Sequence, residues 1–282
     1  MKWFLKIISK VLISRLPIPY SFWKAIGFFK HGKMDSCEYA IKIFDLHFYR
    51  AFPKKVPQKL KILELGPGDS IASAIIGYSY GVSFTYLVDV DNFVTKDLNF
   101  YKRLISILKV KGFKTPNISK ATSVKDLLKL CNGIYLTDGL SSLQTIENNS
   151  IHFVWSHSVL EHIRKYQFYE VQRELKRLLK SSGKASHSID FQDHLDYGLN
   201  NLRFSEKIWE SKIFANSGFY TNRIPAVKMH SIFREIGFKI KRKSFGKWKK
   251  LPIKRSSINR EFDKYSDTDL LSRTSYVLLE KS

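Results

Sequence analysis

The sequence predicts an α/β domain built on a mostly parallel β-sheet. Residues 61–91 have the pattern of a buried strand, a glycine-containing turn, a helix and a second strand. Further along the chain, short apolar runs alternate with amphipathic stretches of helical period. The chain has 282 residues, 44% of them hydrophobic, and is therefore long enough to bury one large core with additions. In such a sheet, ligands bind at the carboxyl edge of the strands.

The stretch KILELGPGDSIASAIIGYSYGVSFTYLVDVD, residues 61–91, organises the rest of the chain. A short apolar run leads directly into Gly66 and Gly68. Glycine fits here because a Cβ would block both the tight turn and a ligand that lies against the backbone. Asp89 and Asp91 follow the second strand, about 20 residues after the glycines, where a carboxylate can accept hydrogen bonds from two ribose hydroxyls. This pattern predicts the half of a fold that binds a nucleoside.

The run E-L-G-P-G-D-S resembles motif I of class I S-adenosyl-L-methionine (SAM)-dependent methyltransferases, in which an acidic residue precedes G-x-G. A dinucleotide-binding turn would have Gly or Ala at the sixth position, which is Ile71 here. Ser70 stands where that family often has a third glycine. The resemblance implies a Rossmann-like sheet of seven strands, mostly parallel with a closing antiparallel strand, and SAM as the cofactor. The cofactor-binding residues that it implies in this stretch are Glu64, Gly66, Gly68, Asp89 and Asp91.

A second segment that resembles the same family follows the fourth predicted strand. Residues 157–163, HSVLEHI, match the string of Ser or His and L-E-H that recurs there. In that family the segment lines the methionine end of SAM, so His157 is a candidate cofactor contact, whereas His162 is expected to be structural. Asp138, after the third strand, stands where the resemblance places a carboxylate near the adenine amino group. A surface turn residue is the alternative for Asp138.

Periodicity and flanking residues predict the remaining elements. Helices are expected near residues 36–50, 71–80, 98–110, 124–130, 170–180 and 227–235, and strands near 62–65, 84–88, 134–137, 151–156, 184–190, 238–245 and 275–279. Asp35 or Ser36 is expected to cap the first of these helices, and Gly183 to end the fifth. We divide the chain into a basic N-terminal helical extension, 1–58, and a methyltransferase domain, 59–282.

Polar side chains crowd the end of the fifth predicted strand, in the sequence SHSIDFQDH: His187, Asp190, Asp193 and His194. Methyl transfer to oxygen requires that the alcohol proton be removed as the nucleophile attacks the sulfonium methyl in line, so a His or Asp is the expected base. We predict that His187, Asp190 or His194 is that base. A divalent metal site formed by these imidazoles and carboxylates is a second interpretation. A structural hydrogen-bond cluster is the third.

Residues 195–225 are predicted to form a lid-like insertion over the substrate. They contain polar and aromatic groups suited to a polyhydroxy or anionic ligand: Asn200, Asn201, Arg203, Trp209, Tyr220, Asn222 and Arg223. A helical lid held together by core aromatics is the alternative. Together with SHSIDFQDH, the runs NNLRFSE and YTNRI resemble methyltransferases of bacterial polysaccharide and O-antigen gene clusters, which implies O-methylation of a saccharide or glycolipid acceptor in the cytoplasm. RNA or lipid methylation, and a non-catalytic basic protein that binds membrane or nucleic acid, remain alternatives.

The chain carries 48 Lys and Arg against 25 Asp and Glu, a formal charge of +23 at pH 7, which attracts anionic partners. Residues 1–33 contain seven basic and no acidic side chains, and apolar side chains recur there at helical spacing. This pattern predicts an amphipathic helix that either lies in an anionic membrane interface or docks on the domain. Pro17 and Pro19 would end that helix. Lys6 and Lys10 interrupt the apolar run, which argues against a membrane span or a signal peptide.

Two further features of the composition bear on partners and location. Residues 239–255 include nine basic and no acidic side chains, which favours either a solvated strand face or a surface that grips phosphate groups. Cys37 and Cys131 have neither metal-site nor disulfide-framework spacing, so we expect both to be buried and the compartment to be reducing. The expected location is the cytoplasm, with peripheral attachment to the inner face of the membrane if the N-terminal helix binds lipid.

Overall fold

The computed structural model describes residues 3–15 and 33–282. The helices are α1 Trp3–Ile13, α2 Cys37–Ala51, α3 Ala72–Ser79, α4 Leu98–Val110, α5 Val124–Leu130, α6 Leu140–Gln144, α7 Lys165–Leu178, α8 Glu206–Trp209, α9 Lys212–Ala215, α10 Ala226–Glu235 and α11 Asp267–Leu270. The strands are β1 Lys61–Leu65, β2 Phe84–Val88, β3 Gly133–Leu136, β4 Ile151–His157, β5 Leu179–Asp190, β6 Phe238–Lys247 and β7 Ser272–Lys281. The expected helix end at Pro17 and Pro19 lies outside the described residues.

The seven strands form one sheet in the order β3-β2-β1-β4-β5-β7-β6. Strands β1 to β5 pair in parallel, whereas β7 runs antiparallel to both β5 and β6. This confirms the predicted Rossmann-like class I methyltransferase sheet with its closing antiparallel strand. The chain continues from β1 to β2 on one side and crosses later to β4 on the other. The carboxyl ends of β1 and β4 therefore flank a switch point, where open α/β sheets bind ligands.

Helices cover both faces of the sheet, and successive strand residues point to opposite layers. Ile62 packs in the layer formed with α2, α3, α4 and α5. Leu63, the next residue of β1, packs in the layer formed with α6, α7 and α10. Both side chains are fully buried. This two-sided burial explains why the central strands are continuous apolar runs instead of alternating ones.

The junction between α7 and β5 differs from the prediction that Gly183 ends a helix. Helix α7 ends at Leu178, and Leu179 already pairs with Ile151 of β4. The next aligned pair is Phe153 with Lys184, so residues 180–183 bulge out of the strand. The apolar spacing predicted a helix up to residue 180. The helix ends two residues earlier because the backbone of Leu179 already finds its hydrogen-bond partners on β4.

The N-terminal segment contributes to two different parts of the molecule. Helix α2 begins at the N-cap Ser36, whose side chain accepts a hydrogen bond from the Tyr39 N–H, and its inner face belongs to the core of the sheet. Helix α1 instead packs through Ile7 against the insertion, next to Trp209 and Phe219. Among the described residues, no helix is long and apolar enough to cross a membrane.

Candidate active site

The turn after β1 has the backbone conformation that the two glycines predict. Gly66 and Gly68 have φ values of +71° and +64°. A Cβ at Gly66 would lie 2.5 Å from Cγ2 of Val159, a residue of the segment after β4. The Gly66 N–H donates to the Val88 carbonyl at 2.8 Å, so the turn is also fixed to the end of β2. Both the left-handed conformation and this close contact require glycine at position 66.

The two acids after β2 have different surroundings: Asp89 contacts the glycine turn, and Asp91 lies on the surface. The Gly68 N–H donates to Oδ2 of Asp89 at 3.2 Å, and the Asp89 side chain is half-buried. Burial raises the pKa of Asp89 to about 6, although the N–H groups of Val90 and Gly68 oppose the shift. Asp91 is exposed; its Oδ1 accepts from the Asn92 N–H at 2.7 Å, and its backbone carbonyl accepts from the Tyr135 hydroxyl at 2.8 Å. Asp89 is therefore the better placed of the two predicted ribose contacts.

Glu64, in β1 just before the turn, is 2% exposed. Its Oε2 has no hydrogen-bond partner within the described part of the chain. Burial raises the pKa of Glu64 to about 8, and the Asp89 carboxylate shifts it further in the same direction. A buried acid with an unsatisfied oxygen is costly unless a ligand completes it. A cationic group of a bound ligand would stabilise the ionised form.

Two other residues predicted to lie near the cofactor, Asp138 and His157, lie at the carboxyl edge of the sheet, and Ser70 lies in the glycine turn. Asp138 follows β3 and is exposed, and its backbone N–H donates to Oγ of Ser142 at 2.9 Å. His157 ends β4, and its Nδ1 lies 3.1 Å from Nε2 of the buried His47. Burial lowers the pKa of His157. Ser70, in place of a third glycine, donates to the Met34 carbonyl at 2.5 Å and so ties the turn to the segment before α2.

His187 lies in the interior, where it cannot contact an acceptor. Its side chain is fully buried, stacks on Phe233 of α10 with ring centroids 6.2 Å apart, and places Nδ1 2.8 Å from Oγ of Ser156. Burial lowers its pKa to about 3. We therefore remove His187 from the predicted bases. The reason is its position within β5, where its side chain points into the layer below α10.

Asp190 ends β5 and is half-buried beside a second acid, Glu161. The Asp190 N–H donates to Oε1 of Glu161 at 3.2 Å, and Oδ1 of Asp190 accepts from the Gln192 N–H at 2.9 Å. Burial raises the pKa of Asp190, and burial also holds the pKa of Glu161 well above its usual range. These two acids line a cavity of about 30 Å³ under the insertion. A cavity of this size holds one or two water molecules and no sugar.

His194 forms a pair with His162, a residue that the sequence led us to regard as structural. The two Nε2 atoms are 3.2 Å apart, and the rings stack with centroids 4.9 Å apart. Nδ1 of His162 lies 2.9 Å from the Tyr220 carbonyl, which can only accept, so this nitrogen carries the His162 proton. In the neutral pair, Nε2–H of His194 then donates to His162, and Nδ1 of His194 is left unprotonated.

The environment of His194 keeps its ring neutral. Burial lowers the pKa of His194 to about 4, and the nearby Lys10 ammonium acts in the same direction. The imidazole is therefore unprotonated at neutral pH, and with this pKa it would be a weak base. Of the two predicted histidine bases, His194 is half-buried, whereas His187 is fully buried.

Most of the polar side chains expected to bind a ligand instead hold the insertion together. Nδ2 of Asn222 donates to the Leu160 and Ile163 carbonyls at 2.8 and 3.1 Å. Arg223 donates to the Phe204 carbonyl at 2.6 Å and lies over the rings of Trp209 and Phe262, 5.3 Å from each centroid. Other such bonds link Trp209 to Thr221, Tyr220 to Glu210, and Asp193 to Leu195, Asp196 and Asn200. These contacts favour the alternative of a lid held by its own aromatic core.

The side-chain positions do not support the metal interpretation of the SHSIDFQDH cluster. Within residues 3–15 and 33–282, no three or more His, Cys, Asp or Glu side chains are grouped so that they could hold a metal ion. Asp193 is fully buried and accepts from the backbone N–H groups of its own loop. Its role is to shape the segment that carries His194.

Comparison with known proteins gives remote structural similarity only. No protein-family model matches the sequence. No curated protein matches it either. Among solved structures, a SAM-dependent methyltransferase from Archaeoglobus fulgidus is 12% identical, with a TM-score of 0.47 over 86% of this chain and 94% of that one. An S-adenosylmethionine-dependent methyltransferase from Mesorhizobium loti is 12% identical, with a TM-score of 0.45 over 88% of this chain and 100% of that one.

A third structure of the same kind contains a cofactor product. It is a phosphoethanolamine N-methyltransferase of Haemonchus contortus in complex with phosphomonomethylethanolamine and S-adenosylhomocysteine. It is 14% identical, with a TM-score of 0.45 over 85% of this chain and 53% of that one. At this low sequence identity, the fold of the present chain is defined by its own strand order.

Proposed function

We propose that this protein is a SAM-dependent methyltransferase that methylates a hydroxyl group of a saccharide or lipid-linked glycan. The SAM-binding part of this proposal rests on the contact between the glycine turn and Asp89, at the switch point of the sheet. Asp89, which contacts the turn, and Glu64, just before it, are acids whose ionised forms a bound ligand would stabilise. These features fit the ribose hydroxyls and the cationic methionine end of SAM.

The chain's own residues divide into those that position the cofactor and those that act on the acceptor. Glu64, Gly66, Gly68 and Asp89 would hold the adenosyl and methionine parts, with His157 and Asp138 at the same edge. When bound, SAM supplies the activated methyl group and its leaving group. Nδ1 of His194 would accept the hydroxyl proton, and His162 would fix the His194 ring through the contact between their Nε2 atoms. Asp190 lines a cavity too small for a sugar, so it is not the base in this proposal.

The cofactor assignment is tested by calorimetric titration with SAM and S-adenosylhomocysteine. The wild type should bind both, and Asp89→Ala should weaken both by about tenfold or more, because one carboxylate contact to a bound ligand typically contributes 1.5–3 kcal/mol. Asp91→Ala is the matched control, since Asp91 is exposed and its side chain accepts from the Asn92 N–H instead of from the turn; it should retain most of the affinity. Absence of binding to the wild type would contradict the methyltransferase assignment.

The acceptor and the base are tested by transfer of radiolabelled methyl from SAM to a panel of acceptors. The panel contains a polyprenyl-linked saccharide, the free saccharide, a phospholipid and RNA, and label on RNA alone would contradict the glycan proposal. With an active acceptor, His194→Ala should lower kcat by about 10²-fold or more while SAM affinity is unchanged. His152→Ala is the control, because His152 lies at the amino end of β4, at the opposite edge of the sheet.

A further inference from the structure

Helix α1 has apolar side chains on two opposite faces. Its inner face carries Ile7, which is 8% exposed and packs against the insertion. Ser14 lies 3.3 Å from Ser217 on that side, and the Lys10 ammonium donates to the Gly218 carbonyl at 3.3 Å. Docking on the domain therefore accounts for this face and holds the helix along the surface of the protein.

The outer face carries four apolar side chains that the domain does not cover. We call Phe4, Leu5, Ile8 and Leu12 the outer stripe; they are 42%, 44%, 54% and 64% exposed. Leu5, Ile8 and Leu12 recur at helical spacing, so they share one side of the helix. A helix that only docked on the domain would have polar residues there. Single exposed apolar residues are common on protein surfaces, but a contiguous row on one helix marks an interaction surface.

The charge around the outer stripe restricts the kind of partner. Helix α1 contains no acidic residue, and the 33 N-terminal residues carry seven basic ones. At the end of the helix, the exposed Arg15 donates to the carbonyl of Ile213, which is itself 53% exposed and follows the exposed Lys212. One acidic side chain lies beside the helix: Oδ1 of Asp196 is 3.8 Å from the Lys6 ammonium. Apolar side chains on a helix that itself contains only basic charges still complement an anionic lipid surface better than another copy of this chain, whose net charge is +23.

We propose that the outer stripe of α1 inserts into the interface of an anionic phospholipid bilayer, with the inner face of the same helix fixed to the insertion. The apolar side chains would enter the boundary between headgroups and acyl chains, and the flanking basic groups would contact lipid phosphates. The proposal does not depend on the methyltransferase assignment. It does explain how an acceptor carried in a membrane would reach the site, since α1 lies on the segment that includes His194.

Flotation with lipid vesicles tests this surface on the full-length chain. Wild-type protein is expected to float with vesicles of phosphatidylcholine and phosphatidylglycerol, and much less with phosphatidylcholine alone. Ile8→Glu and Leu12→Glu should each lower the partition coefficient for anionic vesicles by roughly tenfold or more. Val110→Glu is the matched control: Val110 is also an exposed apolar helix residue, 86% exposed on α4, and its substitution should leave flotation unchanged.

Three results would overturn the proposal. The first is equal flotation of the stripe variants and the wild type. The second is loss of flotation in Lys239→Glu/Lys243→Glu, on the exposed strand β6, while the stripe variants still float. The third is a wild-type dimer that Ile8→Glu converts to a monomer without vesicles, because the outer stripe would then be a protein interface. Unchanged SAM affinity of Ile8→Glu would confirm that the variant is folded, and failure of SAM binding by the wild type would leave the flotation result valid.

Discussion

At the residue scale, the distance between Gly66 and Val159 determines how closely the segment after β4 approaches the glycine turn. Alanine is unfavourable at position 66 for two reasons: the φ angle of this residue is positive, and an alanine Cβ would lie 2.5 Å from Cγ2 of Val159. Gly66→Ala should lower the free energy of unfolding by about 1–2 kcal/mol for the backbone conformation alone, with a further loss from the contact. It should also weaken SAM binding, measured by calorimetry.

A second glycine and a double variant separate these two effects. Gly112 has a φ of +83°, but a Cβ there would meet no atom within 4 Å. Gly112→Ala therefore measures the conformational cost without the contact. Gly66→Ala/Val159→Ala should recover part of the additional loss in chemical denaturation. If Gly66→Ala and Gly112→Ala lowered the free energy of unfolding equally, the close contact with Val159 would contribute nothing to the effect of Gly66→Ala.

The pH dependence of cofactor affinity is also a residue-scale property. In the free protein, the pKa values of Asp89 and Glu64 are raised to about 6 and about 8. A cationic ligand favours the ionised carboxylates, so these groups must release protons on binding wherever they are still protonated. SAM affinity should therefore fall as the pH is lowered from about 8 to about 5, by up to about tenfold per pH unit for each group. Calorimetry in buffers of different ionisation enthalpy would measure the proton release.

Two neutral variants are the controls for this pH profile. Asp89→Asn should flatten the lower part of the profile, and Glu64→Gln the upper part, because each removes one titrating group. An affinity of the wild type that does not change with pH would contradict the role of both acids in binding the cofactor.

At the scale of secondary-structure elements, the insertion is attached to the sheet by hydrogen bonds as well as by its aromatic core. Asn222 is 2% exposed, and its N–H donates to the Glu161 carbonyl at 2.7 Å in addition to its side-chain bonds. Asn222→Ala leaves the Leu160 and Ile163 carbonyls without these donors, so it should destabilise the protein by about 1–3 kcal/mol. Proteolysis within residues 195–225 should accelerate.

Asn216→Ala is the matched control for this prediction. Asn216 lies in the same insertion, but it is exposed, and its Oδ1 accepts from the Arg164 guanidinium at 2.6 Å. Its substitution should change neither the stability nor the rate of cleavage. A protease resistance of Asn222→Ala equal to that of the wild type would show that the aromatic core alone holds the insertion.

Elements with a strong local pattern were predicted from the sequence, and those that depend on distant partners were not. Helices α4 and α5 and strand β2 have the predicted bounds. The predicted end of α7 was wrong because Leu179 pairs with Ile151 of β4, and this pairing ends the helix before Gly183. The sequence contains a signal that His187 is buried. Ala185, His187 and Ile189 are alternate residues of β5, so the His187 side chain lies on the same face as the buried Ala185 and Ile189.

At the scale of the whole molecule, buried neutral histidines couple folding to pH. The pKa of His187 is about 3 in the folded chain, against an ordinary value of 6.5. Below about pH 6.5 the unfolded state binds a proton that the folded state does not, so the free energy of unfolding contributed by this group falls as the pH decreases. The loss is roughly 1 kcal/mol per pH unit between about pH 6 and pH 4.

Chemical denaturation of the wild type and His187→Gln at several pH values measures this coupling. The variant is expected to be less stable near pH 7, since it alters a packed position, but its stability should fall less steeply with acid. The histidine at position 152, which is only half-buried, provides a comparison: His152→Gln should retain most of the wild-type slope. Parallel slopes for the wild type and His187→Gln would contradict the buried neutral state.

Local sequence patterns were enough to predict the sheet, the glycine turn and the acids beside it, because each depends on residues close together in the chain or on the regular alternation of strands and helices. Tertiary packing decided which of the two predicted histidine bases is covered and which is half-buried. His162 and His194 come from different loops and meet only because β4 and β5 are neighbours, whereas His187 is covered by a helix more than 40 residues further along the chain. It also decided that α1 keeps an apolar outer face after docking, since a helical pattern gives the period of a face but not what covers it.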